Sequence, residues 1–120
     1  MQIQMLRGKL HGAVITEANL EYDGSIAIDG DLMDQAELLR GEKVLVANMS
    51  TGSRFETYVI EAPRKSGIIG LNGAAARLGS PGDRVIIMAW GLFSHEEARN
   101  FHPRIVKLDS SNHPCRIFQM

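Results

Sequence analysis

The chain contains few of the residues typical of secreted, membrane-bound or nucleic-acid-binding proteins. One cysteine among 120 residues cannot form a disulfide within the chain, which agrees with a reducing compartment. Thirteen basic and fourteen acidic residues give a net charge of -1, which disfavours nucleic acid and anionic membranes as partners. No apolar stretch is long enough to span a bilayer, and residues 1–7 lack the apolar run of a signal peptide. We therefore expect a soluble, cytoplasmic protein.

The composition is that of one globular domain. With 44% hydrophobic and 22% charged residues, a chain of this length buries about 65% of its unfolded surface. No repeat, low-complexity tract or linker divides it, so residues 1–120 are expected to form a single domain. Short apolar segments alternate with turn signals, which is typical of a β-rich protein. The predicted strands are Leu6–Thr16, Ser25–Ile28, Lys43–Asn48, Phe55–Glu61, Gly67–Leu71, Arg84–Trp90 and Arg104–Leu108.

Two short helices are predicted. The first begins at Asp31 or the glycine before it and ends at Gly41, because glycine readily adopts the left-handed conformation of a C-cap. Its apolar face is formed by Leu32, Met33, Ala36 and Leu39. The second begins at Ser94, since Ser94 and Glu97 have the spacing of a capping box, and it stops before Pro103.

Two further segments give contrasting signals. Residues 85–90 are apolar at every position, as in a strand that is buried on both faces. Residues 112–120 carry no clear secondary-structure signal. The first segment is therefore expected in the core, and the tail is left without a prediction.

The dipeptide Gly24-Ser25 indicates unusual chemistry. A serine directly after a glycine can turn its hydroxyl onto the preceding carbonyl carbon, because glycine allows strained backbone conformations. This attack converts the amide into an ester. Loss of the acyl oxygen by β-elimination gives dehydroalanine, and hydrolysis then leaves a pyruvoyl group at a new amino terminus. Taken alone, however, a Gly-Ser pair is usually just a turn.

Several motifs accompany this dipeptide in a fixed order along nearly the whole chain. They are Met5-Leu6-x-Gly8-Lys9-Leu10-His11, Tyr22-x-Gly24-Ser25, Asn48-x-x-x-Gly52-x-Arg54-Phe55-x-Thr57-Tyr58, Asn72-Gly73-Ala74-Ala75-Ala76, Gly82-Asp83-x-Val85-Ile86-Ile87 and Glu96-Glu97-Ala98. With them the chain resembles the pyruvoyl-dependent aspartate 1-decarboxylases, which make β-alanine for pantothenate. The resemblance implies a mainly β fold, a six-stranded double-psi β-barrel with short helices. It also implies a homotetramer with active sites between neighbouring subunits.

The resemblance assigns roles in self-cleavage and in catalysis. The chain is expected to cut itself into residues 1–24 and 25–120, either spontaneously or with a maturation factor. Thr57 would donate a hydrogen bond to the carbonyl of Gly24 during cleavage, and Ser25 would become the pyruvoyl cofactor. L-aspartate would form a Schiff base with this group and lose CO2, and Tyr58 would return a proton to Cα.

Other residues are expected to bind the substrate. The resemblance gives the cationic roles to Lys9 and Arg54, with further contacts from Thr57, Asn72, Gly73, Ala74 and Ala75. His11 lies two residues beyond Lys9 on the same strand face, so it is a further candidate, as is Tyr22. The four histidines show no paired spacing for a metal, and no metal is expected.

Three features depart from the pattern or strain it. Family members often carry an arginine where this chain has Gly12, a change that removes a charge and a donor beside the expected pocket. The tail from His113 follows no family pattern. Thr57 and Tyr58 are adjacent, so on a regular strand they point to opposite faces. Both can serve one site only where the strand bends or the site lies at an edge or a subunit boundary.

Two alternative functions stay open. A double-psi barrel can also act as a non-catalytic module that binds a peptide or a protein, because fold does not fix function. A self-processing decarboxylase could also take glutamate, although a well-fitted pocket penalises an extra methylene by about 1–3 kcal/mol. Replacement of Ser25 by alanine separates the first alternative from the enzyme, since a binding module needs no cleavage.

Overall fold

The computed structural model describes all 120 residues and is mainly β. The strands are β1 (Gln2–Val14), β2 (Glu17–Asn19), β3 (Ser25–Asp29), β4 (Lys43–Asn48), β5 (Arg54–Ala62), β6 (Ile69–Asn72), β7 (Arg84–Ser94), β8 (Arg104–Leu108) and β9 (Pro114–Gln119). The helices are α1 (Gly30–Ala36) and α2 (His95–Asn100), and Gly73–Arg77 form a 3₁₀ helix. Neither α-helix combines the length and the apolar character that a membrane crossing requires.

The nine strands are hydrogen-bonded in the order β2-β6-β3-β5-β4-β7-β1-β8-β9. Three neighbouring pairs are parallel, namely β1 with β8, β2 with β6 and β3 with β5. The remaining pairs are antiparallel. Strand β1 precedes the Gly24-Ser25 dipeptide in the chain and is hydrogen-bonded to a neighbour on each side.

Strand β3 leads from the Gly24-Ser25 dipeptide directly into the core. All five of its residues are buried, and the core of 20 apolar residues includes Ile26 and Ile28 from this strand. A strand that packs on both faces is fixed along its whole length. The serine at its first position is therefore held by the packing of the residues that follow it.

The seven predicted strands are all present, two of them (Lys43–Asn48 and Arg104–Leu108) with the predicted bounds and five with shifted ends. Strand β1 begins four residues earlier than predicted and ends at Val14, two residues before the predicted Thr16. Two strands were not predicted. Strand β2 has only three residues and shows no alternation, and β9 begins at Pro114 in the tail that carried no signal. Both lie at the edges of the sheet, where the demand for a buried face is weakest.

The predicted end of helix α1 at Gly41 is wrong. The helix ends at Ala36, and Glu37 takes the left-handed conformation with φ 57°. The Leu38 N–H then bonds to the carbonyl of Met33, and Leu38 packs into the core. Leu39, predicted on the apolar helix face, is 72% exposed. The predicted start of α2 is confirmed, because Ser94 and Glu97 form a capping box.

The prediction that residues 85–90 are buried on both faces is also wrong for the single chain. Val85, Ile87 and Ala89 are fully buried, but Ile86 and Met88 are only half-buried and Trp90 is 38% exposed. The inner side chains pack in the core, whereas the outer face of β7 is only partly covered at these positions. The run is apolar on a face that a single chain leaves partly open.

Candidate active site

A cavity of about 320 Å³ lies where β3 begins beside β5. Its walls are formed by Gly24, Phe55, Glu56, Thr57, Tyr58, Ala74, Ala75 and Leu78. Five of these eight residues were predicted from the sequence as site residues, from three separate parts of the chain. Phe55, Glu56 and Leu78 were not predicted, and Leu78 carries no sequence signal that could have identified it.

The strand register explains how Thr57 and Tyr58 reach the same cavity. Parallel pairing of β3 with β5 starts at Ile26 and Val59, so residues Arg54–Tyr58 of β5 pair only with β4. The cavity lies along this unpaired side of β5. Thr57 is half-buried and Tyr58 is 43% exposed, and both line the cavity. The two adjacent residues therefore line one cavity, at a part of β5 that has a paired neighbour on one side only.

Ser25 is buried, with 2% of its surface exposed. Its Oγ accepts a hydrogen bond from Nδ2 of Asn72 at 3.1 Å, and its hydroxyl lies 3.5 Å from the carbonyl oxygen of Asp23. The antiparallel register places Ser25 directly opposite Asn72. The side chain of Asn72 therefore contacts the proposed nucleophile.

Glycine is required at Gly73 rather than at Gly24 in this structure. Gly73 has φ 65°, and a Cβ added there would lie 2.7 Å from Cα of Gly24 and 2.9 Å from the carbonyl oxygen of Tyr22. A Cβ at Gly24 would meet no atom within 4 Å, and its φ lies outside the left-handed region. The main chain of residue 73 thus packs against the Gly24 segment, and the strain expected at Gly24 is not observed.

Other predicted residues lie outside this cavity. Arg54 is exposed at the start of β5, and the side chain of Tyr22 is 63% exposed. Lys9 and His11 are on β1, which is separated from β5 by β4 and β7. Thr57 and Gly24 line the same cavity, and a hydrogen bond from Thr57 to the Gly24 carbonyl stays a prediction. A single chain therefore brings neither predicted cation into the cavity.

An ion pair that was not predicted adjoins the cavity. Nζ of Lys43 lies 2.6 Å from Oε2 of Glu56, and the two residues line a second cavity of about 280 Å³ with Thr57 and Tyr58. Lys43 is opposite Tyr58 in the β4–β5 register. Without the register, nothing in the sequence links these residues. Because Glu56 already balances its charge, Lys43 is poorly suited to bind a second carboxylate.

The charge that was predicted to be lost at Gly12 is supplied by another residue. Gly12 has φ 81° and interrupts the β1–β7 register between His11 and Ala13. Nη2 of Arg84 lies 2.6 Å from the position of a Cβ on Gly12 and makes a long hydrogen bond of 3.4 Å to its carbonyl oxygen. The guanidinium of Arg84 therefore occupies the space where a side chain at position 12 would begin.

His11 is in a positively charged environment. Burial lowers the pKa of His11 first, and the positive charges of Lys9, Lys107 and Arg84 lower it further. Its Nδ1 is the one buried side-chain nitrogen or oxygen without a hydrogen-bond partner. Burial and the neighbouring cations therefore favour the neutral form of the ring, and its Nδ1 has no hydrogen-bond partner.

Comparison with known proteins identifies the family of this chain. The family model described as aspartate decarboxylase matches residues 1–115. The chain belongs to the aspartate decarboxylase family. The matched residues include every residue that lines the cavity, and the match ends at Cys115, within the tail that starts at His113.

Curated members of the family are similar over most of this chain. An aspartate 1-decarboxylase of Acetivibrio thermocellus is 53% identical over 112 residues, which cover 93% of this chain and 89% of that protein. One from Pelotomaculum thermopropionicum is 53% identical over 119 residues, covering 99% and 90% of the two chains. One from Bacillus cytotoxicus is 57% identical over 108 residues, covering 90% and 85%.

Proposed function

We propose that this protein is a self-processing lyase that converts L-aspartate to β-alanine and CO2 in the biosynthesis of pantothenate. The observation that carries the proposal is the Gly24-Ser25 bond at the wall of a cavity that Thr57 and Tyr58 also line, in a member of the aspartate decarboxylase family. A binding module has no need for a buried serine hydroxyl beside this peptide bond. The enzyme needs the Gly24-Ser25 bond, Thr57 and Tyr58 together.

Self-cleavage uses residues that already lie close together. Oγ of Ser25 adds to the carbonyl carbon of Gly24, the C–N bond breaks, and the freed nitrogen takes a proton. Elimination then removes the Cα proton of residue 25 and breaks its Cβ–Oγ bond, which leaves Gly24 as a carboxylate. Water hydrolyses the dehydroalanine and ammonia leaves. A hydrogen bond from the Thr57 hydroxyl to the developing oxyanion lowers the activation free energy of cleavage by about 3 kcal/mol.

The residues around Ser25 suit a pyruvoyl group at that position. The amide of Asn72 already bonds to Oγ of Ser25, and the close packing of Gly73 on Gly24 leaves no room for a side chain. The pyruvoyl carbonyl supplies an electron-withdrawing centre for the substrate amine. Asn72 would orient this carbonyl, and the Tyr58 hydroxyl would deliver the proton to Cα of the product. Ala74 and Ala75 leave space for the substrate beside it.

The two cleavage products, residues 1–24 and 25–120, stay in one domain. The first contains β1, which pairs with β7 on one side and β8 on the other. Separation would expose Leu10 and Ala13, both fully buried in the core. The two parallel pairs, β1–β8 and β3–β5, also support our assignment of the fold as a six-stranded double-psi β-barrel with short additions.

A homotetramer completes the site. The cavity of one chain holds no unpaired cation, whereas Lys9 and Arg54 carry charge on the sheet without an ion pair. A neighbouring copy that covers the half-buried outer face of β7 would bury Ile86 and Met88 and bring such cations to the cavity. We therefore assign substrate carboxylate binding to a boundary between copies, in a cytoplasmic enzyme.

Intact mass under denaturing conditions, before and after warm incubation, tests this proposal. We expect two fragments that meet at Gly24/Ser25, with the larger one lighter than a chain that starts with serine. The same sample, offered aspartate and glutamate in parallel, should form β-alanine from aspartate. Addition of a lysate from the source cells then tests for a maturation factor. An uncut mass with and without lysate, and no β-alanine, would contradict the proposal.

A further inference from the structure

Four positive or protonatable groups meet on the outer face of β1, β7 and β8. Lys9 and His11 are two residues apart on β1, and Lys107 of β8 is opposite His11 in the parallel register. Arg84, the first residue of β7, extends its guanidinium over Gly12. We call Lys9, His11, Arg84 and Lys107 the basic cluster.

No carboxylate balances the basic cluster. The cations in the ion pairs of the structure are Arg7, Lys43 and Arg64, all outside it. The ammonium of Lys107 lies 5.9 Å from the centroid of the Phe118 ring, a contact that leaves its charge in place. Burial lowers the pKa of His11 most, and the same positive potential lowers it further. Like charges held together without a counter-ion favour the binding of an anion.

The chemistry of decarboxylation selects which anion the cluster can usefully bind. The departing carboxylate of aspartate loses its charge as CO2 forms. A strong cation contact there would stabilise the substrate more than the transition state and slow the reaction. The other carboxylate keeps its charge in substrate, transition state and product. A dense group of cations therefore suits the retained side-chain carboxylate.

We propose that Arg84 is a substrate-binding residue that, with Lys9, holds the retained carboxylate of aspartate. The inference rests on the proposed function and adds a residue that the resemblance did not assign. The planar guanidinium of Arg84 can donate two parallel hydrogen bonds to a carboxylate, which an ammonium cannot. Its long bond to the Gly12 carbonyl uses little of this capacity. Gly12 permits this placement, because a Cβ there would collide with the guanidinium.

Steady-state kinetics of Arg84→Gln test the proposal, with Arg84→Lys as the conservative variant and Arg99→Gln, on the exposed helix α2, as the matched control. A contact to a carboxylate that is unchanged by the reaction contributes equally to substrate and transition state. We expect Arg84→Gln to raise KM for aspartate about tenfold and to raise the inhibition constant of β-alanine by a similar factor. We expect kcat to change less than about twofold. Arg84→Lys should recover part of the loss, and Arg99→Gln should behave as the unmodified protein.

A binding measurement separates this inference from the proposed function. Succinate carries carboxylates but has no amine, so it cannot condense with a carbonyl, and the NMR signals of the His11 ring report its binding. We expect succinate to raise the pKa of His11, because an anion relieves the repulsion from the cluster. Arg84→Gln by itself also raises this pKa, so each variant is compared with its own succinate-free state. The dissociation constant for succinate should be about tenfold higher in Arg84→Gln than in the unmodified protein.

Each outcome has a distinct meaning. Unchanged KM and succinate affinity in Arg84→Gln would overturn the inference, while normal decarboxylation in the same samples would leave the proposed function intact. A fall in kcat with KM unchanged would also overturn it, since the residue would then act on the chemical step. Arg84-dependent succinate binding in a protein that never forms β-alanine would keep the anion site and refute the decarboxylase.

Discussion

Two buried polar side chains, Asn112 and Ser25, differ in the number and length of their hydrogen bonds. Asn112 is 3% exposed and Ser25 is 2% exposed. Asn112 makes three short bonds, from Val14 N at 2.7 Å and to the carbonyls of Val14 and Gly67 at 2.9 and 2.8 Å. Ser25 has one bond from Asn72 and a contact at the 3.5 Å limit. Asn112, which connects Val14 with Gly67, therefore makes three short hydrogen bonds, whereas Ser25, the proposed nucleophile, makes one.

Removal of the Ser25 hydroxyl is expected to have the largest effect. Ser25→Ala deletes the only nucleophile at the bond, so we expect a single uncut mass and no β-alanine. Ser66→Ala, in an exposed loop where the hydroxyl accepts a bond from Ile68 N, is the control and should cleave fully. Cleavage or activity in Ser25→Ala would show that the buried serine has no chemical role.

Replacement of Thr57 by valine should slow cleavage without unfolding the chain. The change keeps the shape of the cavity wall but removes the donor for the oxyanion, and loss of such a donor costs about 100-fold to 1000-fold in rate. The time course of intact mass measures this rate. Thr51→Val, whose hydroxyl contacts only Ser53 on the surface, is the control. Unaltered cleavage in Thr57→Val would remove Thr57 from the mechanism.

Asn112 should control stability and leave cleavage unchanged. Asn112→Ala leaves three main-chain groups without their hydrogen-bond partner and places alanine at φ 60°. We therefore expect the free energy of unfolding to fall by about 3–4 kcal/mol. Asn112→Gly relieves the backbone strain and should be about 1 kcal/mol more stable than Asn112→Ala. Urea unfolding in the Ser25→Ala background measures both.

Asn100→Ala, on the exposed end of α2, is the matched control and should change the unfolding free energy by less than about 0.5 kcal/mol. When the hydroxyl at position 25 is restored, Asn112→Ala should cleave at the normal rate below its unfolding temperature. A cleavage defect in the folded Asn112→Ala variant would contradict the assignment of stability to Asn112 and of cleavage to Ser25.

The smallest expected effect concerns Asp83, which helps another buried asparagine to bond fully. A bond from the Asn48 side chain, and then one from the Ser80 main chain, lower the pKa of Asp83. The stabilisation is present above the ordinary carboxyl pKa and is lost as pH falls through the lowered value. Asp83→Asn should flatten the acid side of the stability profile by less than about 1 kcal/mol, because solvent screens this carboxylate. Urea midpoints between pH 2 and 6 measure it, and an unchanged slope would contradict the assignment.

Local signals in the sequence predicted the parts of the fold that depend on neighbouring residues. The capping box at Ser94 and the seven strands with apolar alternation are present. The predicted end of α1 at Gly41 was wrong because Leu38 is buried in the core and Glu37, not Gly41, takes the left-handed conformation that ends the helix. Strand β9 was missed because its partner β8 supplies its pairing and its own sequence has no buried face.

The candidate site shows the same division. Gly24, Thr57, Tyr58, Ala74 and Ala75 could be grouped from motif order, and the structure brings them to one cavity. The position of Arg84 over Gly12 could not be predicted, because it depends on a register shift in β1 that no local pattern encodes. Charge–charge contacts across strands require the register, and the register is a property of the whole sheet.

The position of β1 between β7 and β8 has a consequence for refolding. Once the bond after Gly24 is cut, the domain is a complex of two chains, and its folding becomes a bimolecular reaction. Its apparent stability then rises with protein concentration, and dilution during unfolding separates the partners. The uncut Ser25→Ala chain should refold on removal of urea at any concentration. The mature protein should recover poorly when dilute, so that self-cleavage makes refolding depend on the concentration of the two chains.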